Sequence, residues 1–236
     1  MKALYQLSRK IAGFDFFAWL VMQAQAGATE IVFDTSNPKT DKWPLDVVMR
    51  RFDSILWPAP ALLGLPCSLG KNGRQLAPYH QEELVRLSYA GVQFPRLKSV
   101  LPTGTERYTV TLRKTQRSET RNSDEATWRA FADEIGARVI PDYDDEPIHL
   151  HDRMALYAGA EMNFFVTNGP AILCFLSEYP AMAFDVNHSP MKSYGVPFGE
   201  QYPFILADRH RQIYESPTLE VIRRHFRAWR EDGKWL

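Results

Sequence analysis

The chain has 236 residues, enough to bury a sizeable core in one large domain or two small ones. Lysine plus arginine number 28, as do aspartate plus glutamate, so no net charge attracts DNA, RNA or an acidic membrane surface. The two cysteines, Cys67 and Cys174, lie far apart in apolar surroundings. This is typical of free thiols in a reducing compartment, so we expect a cytoplasmic protein without a disulfide framework.

The first half begins with a strand–helix–strand pattern. A short apolar run at Ala3–Leu7 is followed by an amphipathic segment at Asp15–Ala26, which Gly27 ends, and by the β-rich stretch Glu30–Asp34. This order is the building block of a parallel sheet. The basic residues Lys2, Arg9 and Lys10 ahead of the apolar run Phe14–Met22 are also typical of a signal peptide, but the charged Asp15 inside that run favours a helix.

The rest of the first half is less regular. Leu45–Phe52 is predicted to be helical, Asp53–Trp57 to form another strand, and Gln81–Ala90 to form a surface helix closed by a glycine. Phe94–Glu106 contains two prolines and a glycine and has little periodicity. We place a domain boundary there, which predicts a small α/β domain over 1–100 and a second α/β domain over 107–236.

The second half alternates strictly between strand and helix patterns. The predicted strands are Arg107–Leu112, Ala137–Ile140, Met162–Val166 and Ala181–Asp185, and the predicted helices are Ser123–Ile135, Leu150–Ala160, Ala171–Ser177 and Pro217–Glu231. Such alternation predicts a parallel, doubly wound sheet. Met154–Leu176 approaches the length of a membrane span, but asparagine, glycine and proline interrupt it. We therefore expect no transmembrane segment.

The loops at the carboxyl ends of these strands are the places where open parallel sheets bind ligands. In the turn Asn168-Gly169-Pro170, Gly169 allows a close approach of the backbone to a ligand, and Pro170 suits the first position of a helix. The amides of Ala171 and Ile172 would then face an anion such as a diphosphate. By itself this turn is more typical of a plain strand–helix connection.

A basic cluster follows the first strand of the second half. It comprises Arg113, Lys114, Arg117 and Arg121. Four cations within nine residues at a strand end can clamp a phosphate, because arginine offers forked donors. The alternative is a solvated charged loop. In combination with the helix-start turn, the cluster favours anion binding.

The second half resembles the carboxyl-terminal, sugar-nucleotide-binding domain of GT-B glycosyltransferases, such as fucosyltransferase-like and heptosyltransferase-like enzymes. The resemblance spans about residues 107–230 and rests on the stretches YTVTLRKTQRSETRN, ARVIPDYDD and RMALYAGAEMNFFVTNGPAILCFLSEYPAMAF. It implies two Rossmann-like parallel-sheet domains across a cleft, with a reduced amino-terminal half. The donor would bind the second domain and the acceptor the first.

The resemblance also assigns roles to residues. Arg113 occupies the place of a strand-end basic residue that touches the donor diphosphate, and Asn168-Gly169-Pro170 that of a turn near the donor phosphates. Ile140–Asp145, with Tyr143, would frame the nucleobase. The general base would lie in the first domain, where Asp15 and Asp34 are the candidates; each could equally be structural, as a helix cap and a turn residue.

Other chemistries fit the sequence less well. Asp142-Tyr143-Asp144 spells a metal-binding Asp-x-Asp, but enzymes with the GT-B fold do not need that metal, so we expect no metal site. His149 and His151 are two residues apart and do not share a helix face, which argues against a zinc pair. Hydrolase, dinucleotide and P-loop motifs are missing from the sequence.

The sequence therefore predicts a metal-independent enzyme that moves a sugar from a nucleotide-sugar donor to a glycan or other hydroxyl acceptor, with no cofactor and no nucleic-acid partner. Two alternatives remain open. The short first half and the missing His-x-Arg-Arg signature of fucosyltransferases are also compatible with a non-catalytic nucleotide- or glycan-binding module. A sugar-nucleotide epimerase of the same shape is the other.

Overall fold

A computed structural model of the chain describes residues 1–8, 13–41, 43–78, 81–115, 122–143, 147–167, 169–185, 195–232 and 235. The fold is α/β. Its described strands form one three-stranded and one five-stranded sheet, and all neighbours in both sheets run parallel. The parallel α/β architecture predicted from the sequence is confirmed.

The first sheet lies in the first half of the chain and has the strand order β1-β2-β3. Its strands are β1 (Lys2–Gln6), β2 (Glu30–Asp34) and β3 (Cys67–Leu69). The α-helices of this half are α1 (Asp15–Gln25), α2 (Leu45–Arg51) and α3 (Gln81–Tyr89). The predicted unit of β1, α1 and β2 is confirmed, and α1 is buried from Phe16 to Gln23 because it packs between elements of both halves.

The strand predicted at Asp53–Trp57 is wrong. The chain continues from α2 into a π-helical turn, Phe52–Leu56, and then into a short 3-10 helix, Ala59–Leu63. The buried residues of the π-helical turn are the first, fourth and fifth, a spacing of three and four that places them on one helical side. Strand β3 is an addition to the elements predicted from the sequence.

The second sheet has the strand order β5-β4-β6-β7-β8. Its strands are β4 (Tyr108–Lys114), β5 (Arg138–Tyr143), β6 (Met162–Val166), β7 (Ala181–Phe184) and β8 (His210–Gln212). The helices are α4 (Glu125–Ile135), α5 (Leu150–Gly159), α6 (Ala171–Phe175) and α7 (Leu219–Asp232). The alternation predicted from the sequence is confirmed, and β8 is an addition to it.

Helices cover both faces of the second sheet, as a doubly wound sheet requires. On one face, Val110 and Phe164 pack with residues of α4 and α7. The apolar residues of α7 pack there: Ile222 and Phe226 are buried, and Leu219 and Trp229 are half-buried. On the other face, apolar residues of α5 and α6 form a cluster with those of the first half.

This second cluster is one hydrophobic core shared by the two halves. It contains Tyr5 and Trp19 from the first half and Met154 and Leu173 from the second. The connecting segment is fixed by hydrogen bonds, among them Leu97 N–H to the carbonyl of Leu176 (2.8 Å). The predicted division into two domains stays a prediction.

Two further expectations concern the cysteines and the membrane. Cys67 and Cys174 are both free thiols, as predicted. None of the helices in the described part of the chain combines the length and apolar character needed to cross a bilayer.

Candidate functional site

The winding of the second sheet changes direction between β4 and β6. The chain leaves β4 for β5 on one side and leaves β6 for β7 on the other. Thr111 of β4 pairs with Phe165 of β6, so Arg113 and Thr167, each two residues further on, end adjacent strands. Ligands of open parallel sheets bind in the crevice at such a point. The loops that the sequence predicts to converge therefore do start side by side.

The backbone of Arg113 is fixed by the residues that precede α4. Its N–H donates to Ser123 Oγ (2.9 Å), and its carbonyl accepts from the N–H of Ser123 (3.0 Å). The next pair, Thr115 and Asn122, exchanges two hydrogen bonds through the asparagine amide (2.9 and 3.0 Å). The base of the basic loop is thus closed by specific contacts. The predicted ligands Arg117 and Arg121 lie outside the described residues.

A small surface pocket brings three predicted binding residues together. It lies at the carboxyl ends of β4 and β5, and Arg113, Lys114 and Tyr143 contribute to its wall. Lys114 Nζ is 5.9 Å from the centre of the Tyr143 ring, at the outer limit of a cation–π contact. Asn122, Ser123, Glu125 and Leu112 complete the lining. The pocket thus combines positive charge with an aromatic ring, and Asp144 and Asp145 lie outside the described residues.

The Gly169-Pro170 turn differs from the sequence expectation in two ways. A β-carbon placed on Gly169 would lie 2.6 Å from Cδ2 of Phe14, so one side of the glycine is filled by a ring of the first half. Ile172 N–H, expected to face an anion, donates instead to the carbonyl of Gly169 (3.2 Å). The prediction of a free Ile172 amide is wrong, because α6 is a single short turn whose start closes on itself. Gly169 is otherwise exposed, and Asn168 lies outside the described residues.

A buried arginine lies beneath these strand ends. Arg153 of α5 is only 2% exposed and donates to the hydroxyl of Tyr157 (3.1 Å), the carbonyl of Pro141 (3.2 Å) and a carboxylate oxygen of Asp142 (3.4 Å). The Tyr157 hydroxyl is also 2.9 Å from Thr111 Oγ1. Burial raises the pKa of Tyr157 to about 12, so the phenol stays protonated.

This network connects β4, β5 and α5 with the first half. The guanidinium carbon of Arg153 lies 6.0 Å from the centre of the Phe14 ring, the ring that also touches Gly169. Arg153 was not among the site residues predicted from the sequence, although its spacing from Leu150 and Tyr157 places it on the apolar stripe of α5. A charged residue on an apolar stripe is the feature of the sequence that could have identified it.

The two candidate bases have different environments. Asp15 is exposed in the first turn of α1, next to Phe14 and therefore near the Gly169 turn. Asp34 is 7% exposed at the end of β2 and accepts hydrogen bonds from the hydroxyl and the N–H of Ser36. The hydroxyl bond, more than any other contact, lowers the pKa of Asp34. A carboxylate held in this way is a turn residue and a weak base.

The histidines at the start of α5 have structural partners. His149 caps the helix through its ring, which accepts from the N–H of His151 (3.4 Å). His151 Nε2 donates to the carbonyl of Pro58 (2.9 Å), and this bond links the two halves. Within the described ranges, no three histidine, cysteine, aspartate or glutamate side chains are grouped as metal ligands. The Asp142 carboxylate of the Asp-x-Asp sequence is bonded to Arg153.

One further residue at this edge was missed by the sequence analysis. Asp185 follows β7 and has a left-handed backbone with φ of 54°, while its N–H donates to the carbonyl of Glu215 (3.1 Å). Aspartate tolerates this conformation better than most residues, and such positions cluster at functional sites. Asp185 thus adds a carboxylate to the strand ends beside β6.

Comparison of the chain with family models, with curated proteins and with solved structures found no match.

Proposed function

We propose that the protein transfers a sugar from a nucleotide-sugar donor to a hydroxyl acceptor, with the donor bound at the carboxyl ends of β4, β5 and β6 in a GT-B-like arrangement. The observation that carries the proposal is the position of Arg113 at the change of winding direction. A cation fixed at that crevice suits a diphosphate, and the adjacent pocket offers Tyr143 to a nucleobase.

The chemical role of this region is to stabilise the leaving group. When the bond between the anomeric carbon and the donor phosphate breaks, negative charge develops on the nucleoside diphosphate. Arg113 and Lys114 face that charge, with arginine providing charge-assisted hydrogen bonds. The exposed backbone of Gly169 leaves space for the phosphates beside the end of β6.

Asp15 acts as the general base. Its carboxylate takes the proton of the acceptor hydroxyl while the acceptor oxygen bonds to the anomeric carbon and the nucleoside diphosphate departs. Three observations favour Asp15 over Asp34: its exposure, its position beside Phe14, and the hydrogen bonds from Ser36 that hold the pKa of Asp34 low.

The first test is calorimetric titration with a panel of nucleoside diphosphates. Wild type binds at least one, and Arg113→Ala weakens that binding by about 1.5–3 kcal/mol, roughly 10- to 150-fold, the range for hydrogen bonds to charged groups. The matched control is Arg138→Ala, since Arg138 is an exposed arginine at the amino end of β5, whereas the predicted site lies at the carboxyl ends of the strands. Equal binding by wild type and Arg113→Ala would place the site elsewhere.

Turnover separates the transferase from its two rivals. A transferase consumes nucleotide-sugar only when an acceptor is present, whereas an epimerase converts it without one. A binding module binds the nucleotide but does not consume nucleotide-sugar, either with or without an acceptor. If no nucleotide of the panel binds, the transferase hypothesis fails.

A further inference from the structure

A second group of aromatic side chains also lies at the carboxyl ends of the strands of the second sheet, near β8 rather than near the predicted donor site. We call it the aromatic cluster and define it as Tyr89, Phe198, Glu200 and Tyr214. Phe198 is 67% exposed and Tyr89 is 52% exposed, both high values for aromatic rings. The ring of Phe198 meets that of Tyr214 edge-on, with 5.1 Å between their centres.

Hydrogen bonds hold this cluster around Glu200, one to its backbone carbonyl and one to its carboxylate. The Tyr214 hydroxyl donates to the carbonyl of Glu200 (2.6 Å), and the Tyr89 hydroxyl donates to the Glu200 carboxylate (3.4 Å). Tyr89 belongs to α3 of the first half, whereas the other members belong to the second. The cluster is therefore built across both halves, and its Glu200 is exposed.

The position of the cluster follows from the sheet order. Tyr214 comes two residues after the end of β8, and Phe198 and Glu200 lie in the connection from β7 to β8. Because adjacent strands are about 4.8 Å apart, β8 is about 10 Å from β6, where the predicted donor phosphates bind. A short oligosaccharide is long enough to reach from one to the other.

We propose that the aromatic cluster binds a pyranose unit of the acceptor, so that the acceptor is a saccharide of two or more residues. A pyranose ring has an apolar face of C–H groups, which suits the exposed face of Phe198, and an edge of hydroxyl groups, which suits the Glu200 carboxylate and the phenol of Tyr89. The carboxylate disfavours phosphorylated ligands by repulsion. This inference rests on the proposed function in assigning the bound sugar to the acceptor.

The test is binding to a printed array of neutral di- to tetrasaccharides, followed by titration of the best one in solution. Wild type binds at least one of them, and Phe198→Ala and Glu200→Gln each weaken that binding about tenfold or more. The control is Leu69→Ala, which removes a 62% exposed apolar side chain from the first sheet. Because Phe198 is exposed, Phe198→Ala keeps the melting temperature of wild type and remains a folded test protein.

The outcomes separate this inference from the proposed function. Phe198→Ala retains the nucleoside diphosphate affinity of wild type, whereas Arg113→Ala loses it and retains saccharide binding. Saccharide binding without any nucleotide binding would support the cluster as a glycan site and end the transferase hypothesis. Absence of saccharide binding by wild type, or equal binding by Phe198→Ala, would overturn the inference.

Discussion

The ring of Phe14 fills the space beside Gly169, so closely that a β-carbon on the glycine would lie 2.6 Å from Cδ2 of the ring. Phe14 precedes α1 in the first half, and Gly169 follows β6 in the second. The glycine is therefore needed where an aromatic ring of one half packs against the backbone of the other. This packing reason is independent of any ligand.

Gly169→Ala is expected to lower the free energy of unfolding by about 1–3 kcal/mol, the usual cost of forcing an extra group into a packed site. In a Phe14→Gly background the same change costs much less, because both the ring and the β-carbon of Phe14, which would lie 2.9 Å from the added group, are gone. Urea unfolding of the two single variants and the double variant measures this coupling. Gly13→Ala is the control, since a β-carbon at Gly13 has no atom within 4 Å. Additive effects of the two substitutions would contradict the packing argument.

The sequence predicts the second half of the fold better than the first. In the second half, each strand pattern alternates with a helix pattern, and the order of elements follows from the strict alternation. At Asp53–Trp57 the apolar run is short, and a short run does not distinguish a strand from a helical turn. Strand β8 was missed because two of its three residues, His210 and Gln212, are polar but buried.

Only the part of the site that follows from general rules of sheet topology could be predicted from the sequence. The rule for parallel sheets predicts ligand-binding loops after strands such as β4 and β6, and these two strands are paired in the structure. The role of Phe14 could not be predicted, because it depends on how the two halves pack, whereas Arg153 carries a local signal as a charged residue on the apolar stripe of α5. The hydrogen bond of the Ile172 amide could not be predicted either, because it depends on the length of α6.

Arg153→Met is expected to destabilise the protein by about 3 kcal/mol, because it removes the cation beside the partly buried Asp142 carboxylate and the donor to two further oxygens. The measurement is urea unfolding at neutral pH. Arg129→Met is the control, since Arg129 and Glu125 form an exposed pair on α4 whose loss costs less than about 0.5 kcal/mol. Equal stabilities of the two variants would show that the buried network contributes little.

Stability is expected to fall between pH 6.5 and pH 4 through His210. Burial above all lowers the pKa of this histidine to about 4, and its ring accepts from Leu206 N–H and donates to the carbonyl of Tyr179 as a neutral group. Between pH 6.5 and 4 the unfolded chain binds a proton that the folded protein excludes. The contribution of His210 to the free energy of unfolding is therefore complete above pH 6.5 and decreases as the pH falls, by about 2 kcal/mol at pH 5.

Chemical unfolding at several pH values measures this slope in wild type and in His210→Gln, which cannot be protonated. The variant is less stable at neutral pH but has a flatter pH dependence. An unchanged slope in His210→Gln would assign the pH dependence to another group.

The last prediction distinguishes the two aspartates of the first half. Asp15→Asn removes a base but leaves Arg113, Lys114 and Tyr143 in place, so the affinity for the nucleoside diphosphate is retained while kcat of sugar transfer falls about 100- to 10,000-fold. Asp34→Asn weakens the turn with Ser36 and lowers stability, but retains transfer at a temperature where the variant is folded. The measurements are single-turnover transfer, nucleotide titration and thermal unfolding of each variant. Transfer that is lost in Asp34→Asn and kept in Asp15→Asn would exchange the two roles, and the base would then belong to the end of β2 rather than to the start of α1.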